Sequence, residues 1–507
     1  MAPSSRSLRV RGPALALGLA LCIGGPVVVE GPALALAAAP ADKPAKAQLA
    51  TLVDDALSEP FLAEAQVGVS IVDLETGEAL VERGAELPLN PASNVKLVTT
   101  AAALGILGPA HRYSTGVYHD EGALSGTTIR GELYLQGSGD PALVTANLYE
   151  LAGKLRARGI EKITGGITVD ASTFDRDELP PGFDQKQELA SFRAPGGATV
   201  VNFDTFEVHV RPGAVGKAPF AGVEPPVAGV ALTVTATTEA GGKRELLADY
   251  EAKDDHVELE LRGTLGVDSG ATSFRYPIDD PSRYAGELLA LVLERQGIKV
   301  GRKKIKTGKV PRKAELLAAH HSDPLGVLVR SVNKFSNNFM AEQILKTIDA
   351  DPGPATFEGA LQRVREHLQA RGVPTEGLKL GNGSGLYDTN RVSAGQFTAL
   401  LSSVYADERI RPDYMASLAI MGVDGTTRSR LEDTPHAGWV RVKTGTLDGV
   451  SSLSGYAGAP GRKPIAFSIL FNGIRKWDNG RAHKVQDRIV ELLARYAAGQ
   501  PLTGKLE

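Results

Sequence analysis

Three short stretches of the chain carry side chains whose types and spacing suit acyl transfer. In 91-PASNVKLVTTAAALGIL-107, Ser93 stands three residues before Lys96 at the expected start of an apolar helix. Helical residues three apart share a face, so the Lys96 amine can reach the Ser93 hydroxyl. A serine hydroxyl attacks a carbonyl only when a base accepts its proton, and a lysine serves as that base only with a lowered pKa. In 333-NKFSNNFMAEQ-343, Ser336-x-Asn338 falls on an expected helix. The Ser336 hydroxyl can relay a proton or bond a lysine, and Asn338 can hold a substrate amide. In 441-RVKTGTLDG-449, Lys443-Thr444-Gly445 closes an expected strand. Lys443 with the hydroxyls of Thr444 and Thr446 would meet a substrate carboxylate, and Gly445 would let a substrate backbone come close.

Each stretch also has a plain structural reading: Ser93 as an N-cap, Ser336-x-Asn338 as a polar helix face, the Lys-Thr-Gly as a strand end. The short patterns recur, with a second Ser-x-x-Lys at Ser331 and Lys334 and a second Lys-Thr-Gly at Lys306-Thr307-Gly308. Only the later Lys-Thr-Gly is followed by strands able to complete a sheet.

The elements that must position these residues come from both ends of the chain. Val67 to Asp73 and Glu78 to Glu82 read as a β-hairpin across the turn Leu74-Glu75-Thr76-Gly77, leading into the Ser93 helix. Strands are expected at 437–445, 451–458 and 464–473, with a last helix over 482–498, so that one sheet is built from front and back. Helical patterning over 283–297, 325–348 and 356–372 belongs to the same part. Between lies a β-rich block, 116–280, with strands at 130–137, 162–170, 231–238 and 256–263 and one helix over 143–159. It reads as an insert, in two pieces (116–195 and 196–280) parted near Pro195-Gly196-Gly197. The expected organisation is therefore α/β and multidomain: 45–115 and 281–507 form the catalytic part, and 116–280 the insert.

At 507 residues, 42% hydrophobic and 23% charged with net charge −3, the chain reads as globular, with no global push toward nucleic acid or membrane. Residues 1–39 read as an export signal: Arg6, Arg9 and Arg11 precede an apolar run, and Ala35-Leu36-Ala37 suits a signal peptidase. An uncleaved anchor is the alternative. The one cysteine, Cys22, lies in this segment, so the mature chain has neither disulfide nor thiol nucleophile. No Gly-x-Ser-x-Gly elbow and no HExxH motif occurs, and His320-His321 and the basic run 299–313 read as a solvated turn and a solvated hairpin. Asp140-Pro141 is expected to cap the following helix, and Asp424 to pair with Arg428.

The order Ser-x-x-Lys, Ser-x-Asn, Lys-Thr-Gly is that of penicillin-binding proteins and class A β-lactamases. The surroundings, including 136-QGSGDPAL-143, 381-GNGSGLYDTNRVS-393, 421-MGVDGTTRSRL-431 and 466-AFSILFNG-473, resemble the D-alanyl-D-alanine carboxypeptidase/endopeptidase family, the class C low-molecular-mass penicillin-binding proteins. The resemblance implies a β-lactamase-like transpeptidase domain, an antiparallel sheet flanked by helices, with a large insert between the first and second motifs. It implies Ser93 as nucleophile, Lys96 as proton acceptor, and Ser336, Asn338 and Lys443 completing the catalytic set. Thr444, Gly445 and Thr446 would then bind substrate, and the N–H groups of Ser93 and Thr446 would form the oxyanion hole. No metal or other cofactor is implied; the partners are peptidoglycan stem peptides and β-lactams, outside the cytoplasm. Asn382 departs from the family, which usually carries Asp there. A β-lactamase and a wall-binding scaffold are the rival readings; the long insert speaks against the first and the intact motif set against the second.

Overall fold

The computed structural model describes residues 43–502 apart from 187, 228, 254, 255, 303 and 352; the expected export signal and Cys22 lie outside the described residues. Among them, no helix is long and apolar enough to cross a membrane.

The hairpin at the front and the strands at the back do form one sheet. Its six strands run in the order 419–420, 440–447, 450–457, 465–472, 66–73 and 79–83, every pair antiparallel. All eight residues of Val450–Ala457 are buried, because helices cover both faces. On one face Phe467, Ile469 and Phe471 pack with Leu49 and Val53 of helix Lys43–Leu57 and with Ile489, Val490 and Leu493 of helix Asn479–Ala498. Burying each such side chain is worth roughly 1.5–3 kcal/mol. On the other face Ala466 and Leu470 meet Phe397, Leu400 and Leu401 of helix Ala394–Ala406. That helix begins at Ser393, whose hydroxyl accepts from Gln396 N while the Gln396 side chain accepts from Ser393 N.

The insert differs from the expected 116–280. Helix Pro281–Arg295 turns Tyr284, Leu288, Leu289, Val292 and Leu293 into the apolar cluster of the insert, against Leu148 and Leu151 of helix Thr145–Ala157. Strand Glu315–His321 pairs antiparallel with Ser114–His119 and completes a five-stranded sheet in the order 306–307, 167–170, 133–137, 114–119, 315–321. From Leu325 the chain joins the cluster around helix 95–107, through Leu325, Leu328 and Val332. Periodicity reveals that a helix has an apolar stripe, not which core receives it. The later strands, 205–211, 220–224 and 272–277 in one sheet and 230–234, 237–239, 244–252 and 257–266 in another, share that same cluster through Val208, Val210, Leu259 and Leu261.

Several local expectations change accordingly. The basic run is no hairpin: Lys299–Val300 and Lys306–Thr307 pair in parallel with 162–163 and 167–170. His320 and His321 lie on a strand and not in a turn. Asp140 accepts from Ala142 N at 2.9 Å in a local turn, while the helix begins later, after Val144.

Candidate active site

The turn that bears Ser93 is tied to the central sheet by side-chain hydrogen bonds. Asn90 Oδ1 accepts from Ala92 N at 2.9 Å, and Asn90 exchanges hydrogen bonds with Asn472 on the sheet. Ser452 Oγ donates to the Pro91 carbonyl at 2.7 Å, and Asn94 Nδ2 donates to Ser454 Oγ at 2.7 Å. These ties hold Ala92 at φ +46°, a left-handed conformation costing an alanine roughly 1–2 kcal/mol. Ser93 is in a 3₁₀ turn, Ala92–Asn94, and the α-helix proper is Val95–Leu107. No side chain caps that helix at Asn94, so Ser93 is not an N-cap. Its hydroxyl instead accepts from Lys96 Nζ at 3.0 Å.

Lys96 is wholly buried. Besides Ser93 Oγ, its amine donates to Asn338 Oδ1 at 2.7 Å and to the Ser384 carbonyl at 2.5 Å. Burial, reinforced by the charge of Lys443 and partly opposed by Glu342, pushes its pKa well below the usual lysine range.

Ser336 does not lie on a helix. The expected single helix over 325–348 is two, Leu325–Phe335 and Asn338–Thr347, broken at Ser336, which has φ +58° and ψ +35°. Asn337 accepts from Met340 N at 3.0 Å and caps the second helix. The break presents the Ser336 hydroxyl to Lys443 Nζ at 3.0 Å. Lys443 also donates to the Thr444 carbonyl at 2.7 Å, and burial brings its pKa down to about 7. Lys96 and Lys443 are thus each bonded to a different serine, and the charge of one acts on the other.

On strand Val440–Leu447, Lys443 and Gly445 are buried and Thr446 is exposed. A Cβ on Gly445 would meet Ser452 Oγ at 2.2 Å, so the glycine lets the strand approach the Ser93 turn. Thr444 Oγ1 lies 2.8 Å from Thr426 Oγ1. Thr426 was not expected; its loop is held by Asp424, which pairs with Lys334 at 2.5 Å and not with Arg428. Lys334 of the second Ser-x-x-Lys is thereby occupied. Lys306 of the second Lys-Thr-Gly pairs with Glu132 in the insert.

Ser384 and Glu342 were also missed. The stretch 381–391 folds over the base of the Ser93 turn. Gly385 has φ +79°, and a Cβ there would stand 1.9 Å from the Ala92 carbonyl oxygen. Asn382 Oδ1 accepts from Gly385 N and Asn390 Nδ2, and Asn382 Nδ2 donates to Thr389 Oγ1 and the Leu386 carbonyl. The Asn382 amide is used on both sides, its oxygen accepting and its nitrogen donating. From the insert, the Phe192 carbonyl receives Asn338 Nδ2 at 3.4 Å, placing that segment beside the site.

A serine bonded to a buried lysine, with a second buried lysine reached through another serine, on an antiparallel sheet sandwiched by helices, defines the class of penicillin-recognising serine enzymes. Residues 49–496 match the D-Ala-D-Ala carboxypeptidase 3 (S13) family, and the chain belongs to that family. A D-alanyl-D-alanine carboxypeptidase from Actinomadura sp. (strain R39) is 35% identical over 471 residues, 89% of this chain and 85% of that protein. The D-alanyl-D-alanine carboxypeptidase DacB of Haemophilus influenzae is 25% identical over 434 residues, 83% of this chain and 88% of that protein. The crystal structure of penicillin binding protein 4 (dacB) from Haemophilus influenzae superposes with a TM-score of 0.73 at 25% identity, covering 87% of this chain and 98% of that one.

Proposed function

We propose that this member of the family is an active serine DD-peptidase that cleaves D-Ala-D-Ala termini and cross-links of peptidoglycan stem peptides, through an acyl-enzyme on Ser93. The observation that carries the reading is the Lys96 amine: wholly buried, lowered in pKa, and 3.0 Å from Ser93 Oγ. A neutral amine in that place takes the Ser93 proton as Oγ attacks the carbonyl carbon of the penultimate D-alanine. The oxyanion is received by the N–H groups of Ser93 and Thr446; losing one such donor costs roughly 10²–10³ in rate. Collapse breaks the C–N bond, and Ser336 with Lys443 delivers a proton to the departing amine. Asn338, bonded to Lys96, also faces the substrate amide. Lys443, with the hydroxyls of Thr444 and Thr446, binds the terminal carboxylate. Water then cleaves the Ser93 ester, releasing the shortened stem and restoring the hydroxyl.

A β-lactam opens on Ser93 by the same first step. Its substrates place the protein outside the cytoplasmic membrane, in the periplasm or an equivalent extracytoplasmic space, consistent with residues 1–39 as an export signal.

The test is peptide mapping and intact mass after incubation with a penicillin, beside Ser93→Ala. A lasting adduct on the Ser93 peptide, absent from the variant, is expected, with release of D-alanine from a pentapeptide. Rapid turnover of the drug without an adduct would instead mark a β-lactamase. A folded protein that neither labels nor turns over would be a scaffold.

A further inference from the structure

Asn338 and Glu342 lie one turn apart on the same face of helix Asn338–Thr347, and both are directed at Lys96. Asn338 touches it directly. Glu342 reaches it through one peptide: its two oxygens accept Gly383 N at 2.9 Å and Ser384 N at 2.7 Å, and the Ser384 carbonyl accepts Lys96 Nζ. The Gly383-Ser384 turn is thus clamped between a carboxylate and an amine. Thr99 Oγ1 adds a third tie, donating to the Gly383 carbonyl at 2.8 Å.

Glu342 is 7% exposed, a costly place for a carboxylate, and burial raises its pKa. The hydrogen bonds that its oxygens accept, together with the Lys96 charge, favour the ionised form and oppose the effect of burial. The charged groups around it are few. Lys96 faces it from helix Val95–Leu107; Lys443, on the sheet, acts on Lys96 in the opposite sense. Lys346, on its own helix, is turned to Asp175 and the Asp177 carbonyl.

We propose that Glu342 is the positioning residue for acylation: it sets where the Lys96 amine points and how readily that amine takes the Ser93 proton. The inference rests on the reading of Ser93 and Lys96 given above. Glu342 has no bond to Ser93, so its action on that residue runs through the Gly383-Ser384 turn and through charge. Without the charge, desolvation and Lys443 act on Lys96 unopposed, so the amine sheds its proton at lower pH and is a weaker acceptor. Without the carboxylate's hydrogen bonds to the Gly383-Ser384 turn, the Ser384 carbonyl no longer fixes Nζ against Ser93.

The experiment follows the second-order rate of penicillin acylation against pH, by intact mass, for wild type, Glu342→Gln and Glu342→Asp, with thermal unfolding of each. In Glu342→Gln the acid limb of the rate profile moves down by about one pH unit, and the plateau falls roughly tenfold to a hundredfold. Glu342→Asp keeps the charge but retracts it, so its limb stays at the wild-type position while its plateau falls. A glutamate with only a structural role would lower the unfolding temperature in both variants without moving the limb. An unmoved limb in folded Glu342→Gln overturns the proposal, as does an equal shift in Glu342→Asp. If Glu342→Gln does not fold, the aspartate variant decides alone: a shifted limb or an undiminished plateau overturns the proposal. Wild type that is never acylated at Ser93 would sink the serine reading itself, an outcome distinct from any behaviour of the variants.

Discussion

A Cβ on Gly445 would stand 3.0 Å from the backbone nitrogen of Ser93 and 2.7 Å from the carbonyl oxygen of Pro91. The strand bearing Lys443 and the turn bearing Ser93 are therefore in contact through the one position that has no side chain. Ser452 closes the same spot from the neighbouring strand, its hydroxyl donating to Pro91. In Gly445→Ala either the strand or the turn must yield. Overpacking of this kind costs about 1–3 kcal/mol. A displacement near 1 Å at the nucleophile costs on the order of 10²-fold in rate. Acylation by a penicillin should fall by about that factor while the protein remains folded, as read by intact mass and thermal unfolding. Wild-type acylation in Gly445→Ala would show that the close approach is not needed.

How much of this site was legible beforehand varies with how local the cause is. Ser93 and Lys96 were, as a pair that a three-residue spacing puts within reach, although spacing alone does not make the contact: Ser331 and Lys334 share it, and Lys334 turns to Asp424. Five strands of the six-stranded sheet were legible, as apolar runs bounded by turn residues at both ends of the chain; the two-residue strand 419–420 was too short to show. Ser336 was misplaced onto a helix although Asn337, a favoured N-cap residue, marks the break. Helix Ala394–Ala406 was overlooked despite the Ser393-x-x-Gln396 box at its start. Glu342 and Ser384 left no local trace: a buried carboxylate on a helix is indistinguishable in sequence from a solvated one. The assignment of helix Pro281–Arg295 to the wrong core has the same origin, since its partner Thr145–Ala157 is remote in sequence.

The broken helix gives a test that separates folding from chemistry. Ser336 occupies left-handed backbone, which glycine adopts without the steric cost that any side chain bears. Ser336→Gly should therefore keep the wild-type stability or gain about 1 kcal/mol. It removes the hydroxyl that receives Lys443 Nζ, however, and loss of a proton-relay group typically costs 10²–10⁴-fold, by a rough general figure. Ser336→Ala should lose the same activity without the stability gain. Unfolding midpoints and D-alanine release from a pentapeptide measure the two effects; full activity in Ser336→Gly would remove the hydroxyl from the relay.

At Asn382 an aspartate should be harmful in this chain. The amide donates to the Leu386 carbonyl at 3.0 Å, and an aspartate would set a carboxylate oxygen against that carbonyl in a buried site. The Thr389 hydroxyl can reverse its bond, whereas the Leu386 carbonyl cannot. The uncompensated pair should cost about 1–3 kcal/mol. Because the same turn carries Gly385 beneath Ala92, acylation should slow as well. Denaturant unfolding of Asn382→Asp checks the first effect, and a midpoint equal to wild type would mean that the turn repacks.

Lys443 is a lysine held where lysines are costly. Burial lowers its pKa to about 7 in the native state, whereas in the unfolded chain it keeps a proton up to about 10.4. Between those two pH values the unfolded state binds more protons than the native state, so this group makes stability rise with pH across that window. Below about 7 both states hold the proton and the whole penalty is present. Replacing Lys443 with methionine removes the penalty along with the bonds to Ser336 and the Thr444 carbonyl. The net gain at pH 7 should be about 1–3 kcal/mol, within the ceiling set by 1.36 kcal/mol per pH unit. That gain should shrink as the pH is raised toward 10, while acylation and peptidase activity are lost throughout. Urea unfolding of wild type and Lys443→Met at pH 6, 8 and 10 measures it. A methionine variant less stable than wild type, by an amount that does not change with pH, would mean that Lys443 is well solvated or paired and that the site bears no such strain.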